Sequence, residues 1–132
     1  MGSDLTDPAV TAATVGFARS IGMVPIEVRK EQRGYVLNSL LSPLLHAAAN
    51  LLLRGVADPA TIDTTWRVAT GSPYGPFETF DTVVLRTAHA VADASSNTAA
   101  QAWAAYLQEH YLTQGKFGVE FGEGFYTHPL TP

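Results

Sequence analysis

The sequence predicts a mainly α-helical domain that is preceded by one separate helix and one strand. The first observation is a cap-then-proline pattern that recurs along the chain, as expected where helices begin. The second is a set of glycines that follow apolar segments of helical periodicity, as expected where helices end. The third is that only one segment has the composition of a strand. The residues concerned are Asp7-Pro8, Asp58-Pro59 and Gly75-Pro76 at the starts, Gly22, Gly55 and Gly115 at the ends, and residues 24–28 as the strand.

The first two predicted elements are a helix over residues 8–21 and a strand over residues 24–28. Asp7 caps the helix, and Gly22 ends it. The strand, Val24-Pro25-Ile26-Glu27-Val28, contains a proline that is tolerated only near a strand start or on an edge. A single strand leaves its backbone hydrogen-bonding groups unpaired. We therefore expect it to need a neighbouring strand from elsewhere.

The rest of the sequence predicts four helices and a tail. The helices cover about residues 35–54, 59–69, 76–94 and 98–114, and Pro43 predicts a bend within the first of them. The tail from Gly115 to Tyr126 contains four glycines and alternating apolar residues. This pattern favours an extended segment pinned to the helices.

Composition narrows the functional classes. The chain has 132 residues, a formal charge of −4 and no cysteine. One domain with its own core is expected at this length. The absence of cysteine excludes disulfides and thiolate chemistry, and a cytoplasmic location is the default expectation. Eight scattered Lys and Arg residues give no basic stripe, so nucleic acid is not an expected partner. Polar residues interrupt the most apolar stretch, residues 36–53, so membrane insertion is not expected either.

One polar stripe stands out on the predicted helix from Tyr35 to Arg54. Asn38, Ser42, His46, Asn50 and Arg54 recur at every fourth position. The simpler interpretation is a solvated helix face. The alternative is the border of a cleft, in which Asn38 donates a hydrogen bond to a ligand carbonyl or to a catalytic imidazole.

Metal and nucleotide patterns are missing from the sequence. The histidines lie in separate elements without the spacing of a helical metal-binding pair, so no metal site is expected. Glu78 and Asp81 share a helix but have no nucleophile beside them, and a capping role is favoured. The glycines at 115, 118, 122 and 124 fit neither a P-loop nor a dinucleotide-binding fingerprint, and turns explain them better.

Three blocks of sequence resemble one family. They are RGYVLNSLLSPLLHAAANLLLRGVADPATID (33–63), GSPYGPFETFD (71–81) and GKFGVEFGEGFY (115–126). In this order and spacing they resemble the C-terminal domain of bacterial 3-hydroxyacyl-CoA dehydrogenases, including 3-hydroxybutyryl-CoA dehydrogenase. The implied fold is the helical C-terminal type shared with 6-phosphogluconate dehydrogenase. Residues 7–28 resemble the last helix and strand of the family's nucleotide-binding domain. The resemblance thus divides the chain into a remnant of that Rossmann domain, 1–30, and a helical substrate and dimerisation domain, 31–132.

The resemblance also implies a reaction. The complete enzymes interconvert 3-hydroxyacyl-CoA and 3-ketoacyl-CoA with NAD, and a histidine base oriented by a glutamate belongs to their nucleotide-binding domain. No residue of this sequence matches that pair. Asn38 matches the asparagine of the family's Gly-aromatic-Val-x-Asn motif, which contacts the C3 oxygen region of the substrate and the catalytic histidine. A neutral amide suits that place, because it donates to a developing carbonyl oxygen without titrating.

Two weaker substrate contacts come from the second block. Gly75-Pro76-Phe77-Glu78 matches a family turn near the acyl-chain pocket, so Tyr74 and Pro76 are candidate contacts. A helix start with a buried aromatic explains the same residues equally well. The third block is expected to be structural. Arg33, Ser39 and the segment 82–86 depart from common family residues, the last from a Gly-Leu-Asp pattern, which leaves substrate range and loop geometry open.

Two functions are therefore expected as alternatives. The chain is either the substrate-binding and dimer-forming part of an NAD-dependent dehydrogenase, or a non-catalytic helical module for self-association. In the first case its partners are an acyl-CoA substrate, a second copy and a nucleotide-binding domain. The isolated chain is then expected to bind no cofactor and to be inactive.

Overall fold

The computed structural model of the protein describes residues 5–129. These residues form six α-helices, whose bounds are α1 Pro8–Ser20, α2 Tyr35–Leu53, α3 Pro59–Thr70, α4 Pro76–Thr82, α5 Leu85–Asp93 and α6 Thr98–His110. Two short 3₁₀ turns follow, at Leu112–Gln114 and Val119–Phe121. By their internal contacts the residues divide into two compact units, one up to Ser42 and the other from Pro43 onwards.

The predicted mainly helical fold is confirmed, and the caps act as the sequence indicated. Asp7 accepts a hydrogen bond from the backbone N–H of Ala9, at 2.8 Å, at the start of α1. Asp58 accepts one from Thr61, also at 2.8 Å, and these backbone donors lower the pKa of its carboxyl below the ordinary value. Asn97 caps α6 through the N–H groups of Ala99 and Ala100. Each cap satisfies N–H groups that a helix start leaves without partners.

The first unit contains α1 and the segment predicted as a strand. The strand over residues 24–28 is not formed, because within residues 5–129 no second segment pairs with it. The apolar side chains of this unit are largely exposed: Phe17 is 64% exposed, Ile21 56% and Val24 84%. The unit therefore presents its apolar face to solvent rather than to a core of its own.

The second unit is built around an aromatic core. Phe77 and Trp103 are buried at 0% and 3% exposure, and Phe80 is similarly enclosed. The Phe125 ring stacks on Trp103 with centroids 6.0 Å apart and meets Phe77 edge to face at 4.8 Å. Two buried alanines of α2, Ala48 and Ala49, belong to the same core. Aromatic pairs of this kind add to the stabilisation from apolar burial.

One predicted helix is wrong. The single helix expected over 76–94 is two helices, α4 and α5, separated by Val83 and Val84. Val84 has a φ of +69°, which a non-glycine residue rarely adopts. The break lets the N–H of Leu85 donate to the carbonyl oxygen of Phe117 at 2.8 Å. A contact 32 residues along the chain thus overrides local helix periodicity.

The tail is also more compact than predicted. Instead of an extended segment it makes a 3₁₀ turn at Val119–Phe121 and two isolated β-bridges, Gly118 with Glu123 and Glu123 with Thr127. Its expected attachment to the helices is present through Asp81 of α4. The glycines serve this path, because a Cβ atom on Gly118 would lie 2.2 Å from the carbonyl oxygen of Asp81.

Candidate functional site

Asn38 lies in the first unit, one turn into α2. Its side chain is exposed, and within residues 5–129 its amide makes no hydrogen bond. Its backbone N–H donates to the carbonyl oxygen of Gly34 at 3.1 Å. An uncharged group with free donors and a free acceptor is therefore presented to whatever approaches the start of α2.

The Gly34-Tyr35 pair shapes this start of α2. Gly34 has a φ of +80° and Tyr35 one of +52°. A Cβ atom on Gly34 would lie 3.1 Å from the Cβ of Asn38, so a larger residue would press on the asparagine. Ser39 donates to the carbonyl oxygen of Tyr35, and Gln32 donates to Ser39 at 3.2 Å. The positive φ of Gly34 and its closeness to Asn38 explain why a glycine precedes the aromatic residue of the motif.

Tyr74 and Pro76 lie in the second unit, at the entrance to α4. Tyr74 is 62% exposed, whereas Pro76 is buried as the first residue of α4. Ser72 donates to the carbonyl oxygen of Tyr74 at 2.8 Å. These two candidates thus lie within two residues of each other, at the end of the loop and the start of α4, whereas Asn38 lies in the other unit.

Two buried aspartates dominate the second unit, and the sequence singled out only one of them. Asp63 and Asp81 are 1% and 0% exposed. Asp63 accepts hydrogen bonds from the N–H groups of Phe77 and Glu78, at 2.9 and 3.0 Å, and from the Tyr126 hydroxyl at 2.9 Å. We call the two carboxylates and their donors the Asp63–Asp81 network.

Asp81 holds the tail in the same way. It accepts hydrogen bonds from the N–H groups of Phe125 and Tyr126, at 2.8 and 2.9 Å, and pairs with Nε2 of His128 at 2.8 Å. A Cβ atom on Gly124 would lie 2.2 Å from an Asp81 carboxylate oxygen. The capping role predicted for Asp81 is wrong, because this residue lies near the end of α4 and its carboxylate binds the tail instead. Its oxygens have protein donors instead of a substrate.

The side chain of Glu78 links the Asp63–Asp81 network to Arg67 of α3. Its Oε2 accepts the N–H of Gly75 at 2.6 Å, and its Oε1 pairs with Arg67 at 2.7 Å.

Two half-buried tyrosines, Tyr111 and Tyr126, pack against the core of the second unit. Burial raises the pKa of the Tyr126 and Tyr111 hydroxyls, and for Tyr126 the hydrogen bond to Asp63 raises it further. Both remain protonated donors at neutral pH.

One further cleft and the remaining acidic and histidine side chains are poorer candidates for a ligand or metal site. A cleft of about 180 Å³ is lined by residues of α2, α6 and the preceding loop, among them His46, Asn50, Ser95 and Asn97. It is smaller than the roughly 300 Å³ at which ligand pockets begin, and it contains none of the predicted site residues. Among residues 5–129, no three His, Asp or Glu side chains are grouped to hold a metal ion.

Two glycines of the tail are packed against Asp81. Cβ atoms on Gly118 and Gly124 would clash with Asp81, and each glycine is therefore occupied by an internal contact. The glycines of a dinucleotide-binding turn instead leave backbone open to a pyrophosphate. Gly118 and Gly124 thus do not leave their backbone open in the way a dinucleotide-binding turn does.

Comparison with known families settles the classification. The family described as 3-hydroxyacyl-CoA dehydrogenase, C-terminal domain, matches residues 34–128. The chain belongs to this family. The resemblance stated from the sequence blocks is confirmed, and so is the fold type.

Relatives and solved structures agree with the classification. The mitochondrial hydroxyacyl-coenzyme A dehydrogenases of Sus scrofa and Homo sapiens are 33% and 32% identical over 94% of the chain. The chain covers 40% of either protein. A structure reported under "Substrate-directed dual catalysis of dicarbonyl compounds by diketoreductase" is 56% identical, with a TM-score of 0.93 over 97% of this chain and 45% of that one. The (S)-3-hydroxybutyryl-CoA dehydrogenase of Ralstonia eutropha is 25% identical, with a TM-score of 0.71 over 94% of this chain and 44% of its own.

The blocks that identified the family have different roles in the structure. Asp63, the last residue of the first block, forms the Asp63–Asp81 network with residues of the second and third blocks, so folding alone explains these residues. The first block also supplies Asn38, whose side chain makes no hydrogen bond within the described residues. Sequence reasoning missed Asp63 because its partners in α4 and the tail are 14, 15 and 63 residues away.

Proposed function

We propose that this chain is the substrate-side domain of an NAD-dependent dehydrogenase that interconverts 3-hydroxyacyl-CoA and 3-ketoacyl-CoA. Membership of the family and the names of the relatives support the proposal. The observation that carries it is the exposed Asn38 amide, which is held at the start of α2 and satisfied by nothing in the described residues.

Asn38 is proposed to donate a hydrogen bond to the C3 oxygen of the substrate. As a hydroxyl becomes a carbonyl, or the reverse, charge on that oxygen changes. A preorganised neutral donor stabilises the charge without exchanging a proton. Tyr74 and Pro76 are proposed to contact the acyl part of the substrate. The general base and the NAD site are assigned to a nucleotide-binding domain, because no residue here matches either.

The diketoreductase adds a statement about substrate chemistry. That protein is described as acting on dicarbonyl compounds. A 3-ketoacyl thioester is itself a 1,3-dicarbonyl compound, since its keto group lies two carbons from the thioester carbonyl. We therefore propose that the reducible group is a ketone beside a second carbonyl. Comparing acetoacetyl-CoA with acetylacetone would show whether the CoA portion is needed.

A chimera tests the proposal. The corresponding region of the diketoreductase, which is 56% identical, is replaced by this chain. We expect the chimera to oxidise NADH with acetoacetyl-CoA, and the isolated chain to show no turnover and no NAD binding by calorimetry. Turnover by the isolated chain would contradict the division of labour. An inactive but folded chimera, with the intact diketoreductase active in parallel, would contradict the substrate role.

A self-association module is the second candidate, and it is compatible with the first. Exposed apolar side chains support it: Leu37 and Leu40 of α2 are 69% and 70% exposed, and Phe17 of α1 is 64% exposed. By length and composition alone helix α2 could also cross a membrane, although Asn38, Ser39 and Pro43 interrupt its apolar sequence. Such patches are typical of protein interfaces. We propose a homodimer in the cytoplasm.

Light scattering tests this second candidate. Deleting residues 1–30 should lower the number of chains per particle if the α1 region contributes to association. An unchanged number of chains would remove that region from the interface.

A further inference from the structure

The loop that carries Tyr74 has little of its own to hold it. It joins α3 to α4, and Gly71 ends α3 with a φ of +73°. Within the loop Ser72 bonds to both the carbonyl oxygen and the N–H of Tyr74, at 2.8 and 3.4 Å. Both bonds are exposed to water, which weakens their net contribution. The position of the Tyr74 ring therefore depends on what fixes the two ends of the loop.

Asp63 fixes the far end. Both of its carboxylate oxygens accept N–H groups from the first turn of α4, at Phe77 and Glu78. Gly75 lies against the same carboxylate so closely that a Cβ there would be 2.3 Å from Cγ of Asp63. The start of α4 thus rests on this buried side chain, while the N–H of Gly75 is held by the Glu78 carboxylate.

Tyr126 in turn fixes the carboxylate. Its hydroxyl donates to Oδ2 of Asp63 at 2.9 Å, while its backbone N–H donates to Asp81. Burial and the Asp63 contact raise the pKa of Tyr126, so the hydroxyl remains a donor. No other side chain within residues 5–129 donates to Asp63.

We propose that Tyr126, acting through Asp63, is a positioning residue that sets the loop carrying Tyr74 and thereby the binding of the acyl part of the substrate. The inference rests on the proposed function, since it needs an acyl ligand at Tyr74. It gives the Gly-Phe-Tyr end of the third block a role in substrate binding, exerted at a distance.

The test compares Tyr126→Phe with Tyr111→Phe. Each change removes one hydroxyl from a half-buried tyrosine of the same core, and Tyr111 makes no hydrogen bond to Asp63. In the isolated chain, Tyr126→Phe should speed hydrogen exchange at the Glu78 amide by about tenfold or more, the factor expected for one hydrogen bond to a charged group. Tyr111→Phe should leave that rate within about twofold.

The same variants in the chimera give the functional readout. With the best of the four-, six- and eight-carbon 3-ketoacyl-CoA substrates, Tyr126→Phe should raise KM about fivefold and leave kcat within about twofold. Tyr111→Phe should change neither, which separates positioning from loss of stability. An unchanged KM in Tyr126→Phe would overturn the positioning role while leaving the proposed function intact. A folded wild-type chimera without turnover would overturn the proposed function and this inference with it.

Discussion

Val84 offers a sharp test of the backbone described between α4 and α5. It precedes α5 with φ and ψ of +69° and 119°, a conformation that carries a steric penalty for any residue with a Cβ. Its neighbour Val83 has an ordinary φ of −83°. We therefore expect alanine and glycine to rank in opposite order at these two adjacent positions.

The expected magnitudes follow from comparing glycine with alanine at each site. Glycine and alanine both lack the branched part of the valine side chain. The packing that this part provides is therefore lost in both variants, and it largely cancels when they are compared at one position. At Val83 glycine should be less stable than alanine by about 0.5–1 kcal/mol, because its unfolded state is freer. At Val84, replacing alanine by glycine also relieves about 1–3 kcal/mol of backbone strain in the folded state. This relief exceeds the entropic cost of glycine, so the glycine variant should be more stable than the alanine variant by about 1 kcal/mol.

Urea unfolding of the isolated chain, followed by tryptophan fluorescence, measures both pairs. Trp103 is 3% exposed in the core of the second unit and reports its unfolding. The free energies of unfolding should place Val84→Gly above Val84→Ala, and Val83→Gly below Val83→Ala. If alanine equals or exceeds glycine at position 84, the strained conformation and the reason given for the break between α4 and α5 are both refuted.

Three further predictions concern the Asp63–Asp81 network. Asp81→Asn should lower the free energy of unfolding by about 2–4 kcal/mol, because the new amide cannot accept a hydrogen bond from every group that now donates to Asp81. The control, Asp93→Asn at an exposed position, should lower it by less than about 0.5 kcal/mol. Equal urea midpoints for the two variants would contradict this prediction. Gly118→Ala should lower the melting temperature by more than about 10 °C, because its Cβ would meet the Asp81 backbone, and a smaller shift would refute that close contact. The raised pKa values of Tyr111 and Tyr126 stabilise the fold below their unfolded pKa of about 10, and this contribution is lost as pH rises further towards the folded values. Urea midpoints from pH 9 to 11 should thus fall less steeply in a double Phe variant, and parallel curves would argue against buried neutral hydroxyls.

Local chemistry made much of the fold predictable. Asp7, Asp58 and Asn97 each cap a helix within three residues, so the sequence shows the cap and its helix together. The break at Val84 could not be found in this way, because the Leu85 to Phe117 hydrogen bond depends on the tertiary fold. Segment 82–86 was noted only as a departure from the family's Gly-Leu-Asp pattern. The structure shows that valine here adopts a backbone conformation that suits glycine.

The candidate site was predictable only in part. Periodicity indicated a polar stripe, but a solvated helix face was the simpler explanation of that stripe, and only the family motif gave Asn38 a role. Asp63 and Tyr126 were not predicted to meet, since 63 residues separate them and neither has a local pattern. The strand at 24–28 was expected from composition, yet a strand exists only with a partner, and the described residues contain none.

Asn38 tests the central claim most directly, through NADH oxidation with acetoacetyl-CoA in the chimera. Asn38→Ala should lower kcat by about 10²–10³, as loss of one oxyanion-type donor does, with an unchanged melting temperature. Asn50→Ala removes an exposed amide from the same helix, three turns further on, and should leave kcat within about twofold. A kcat that falls equally in both variants, or in neither, would contradict the assignment of Asn38 to the reacting oxygen.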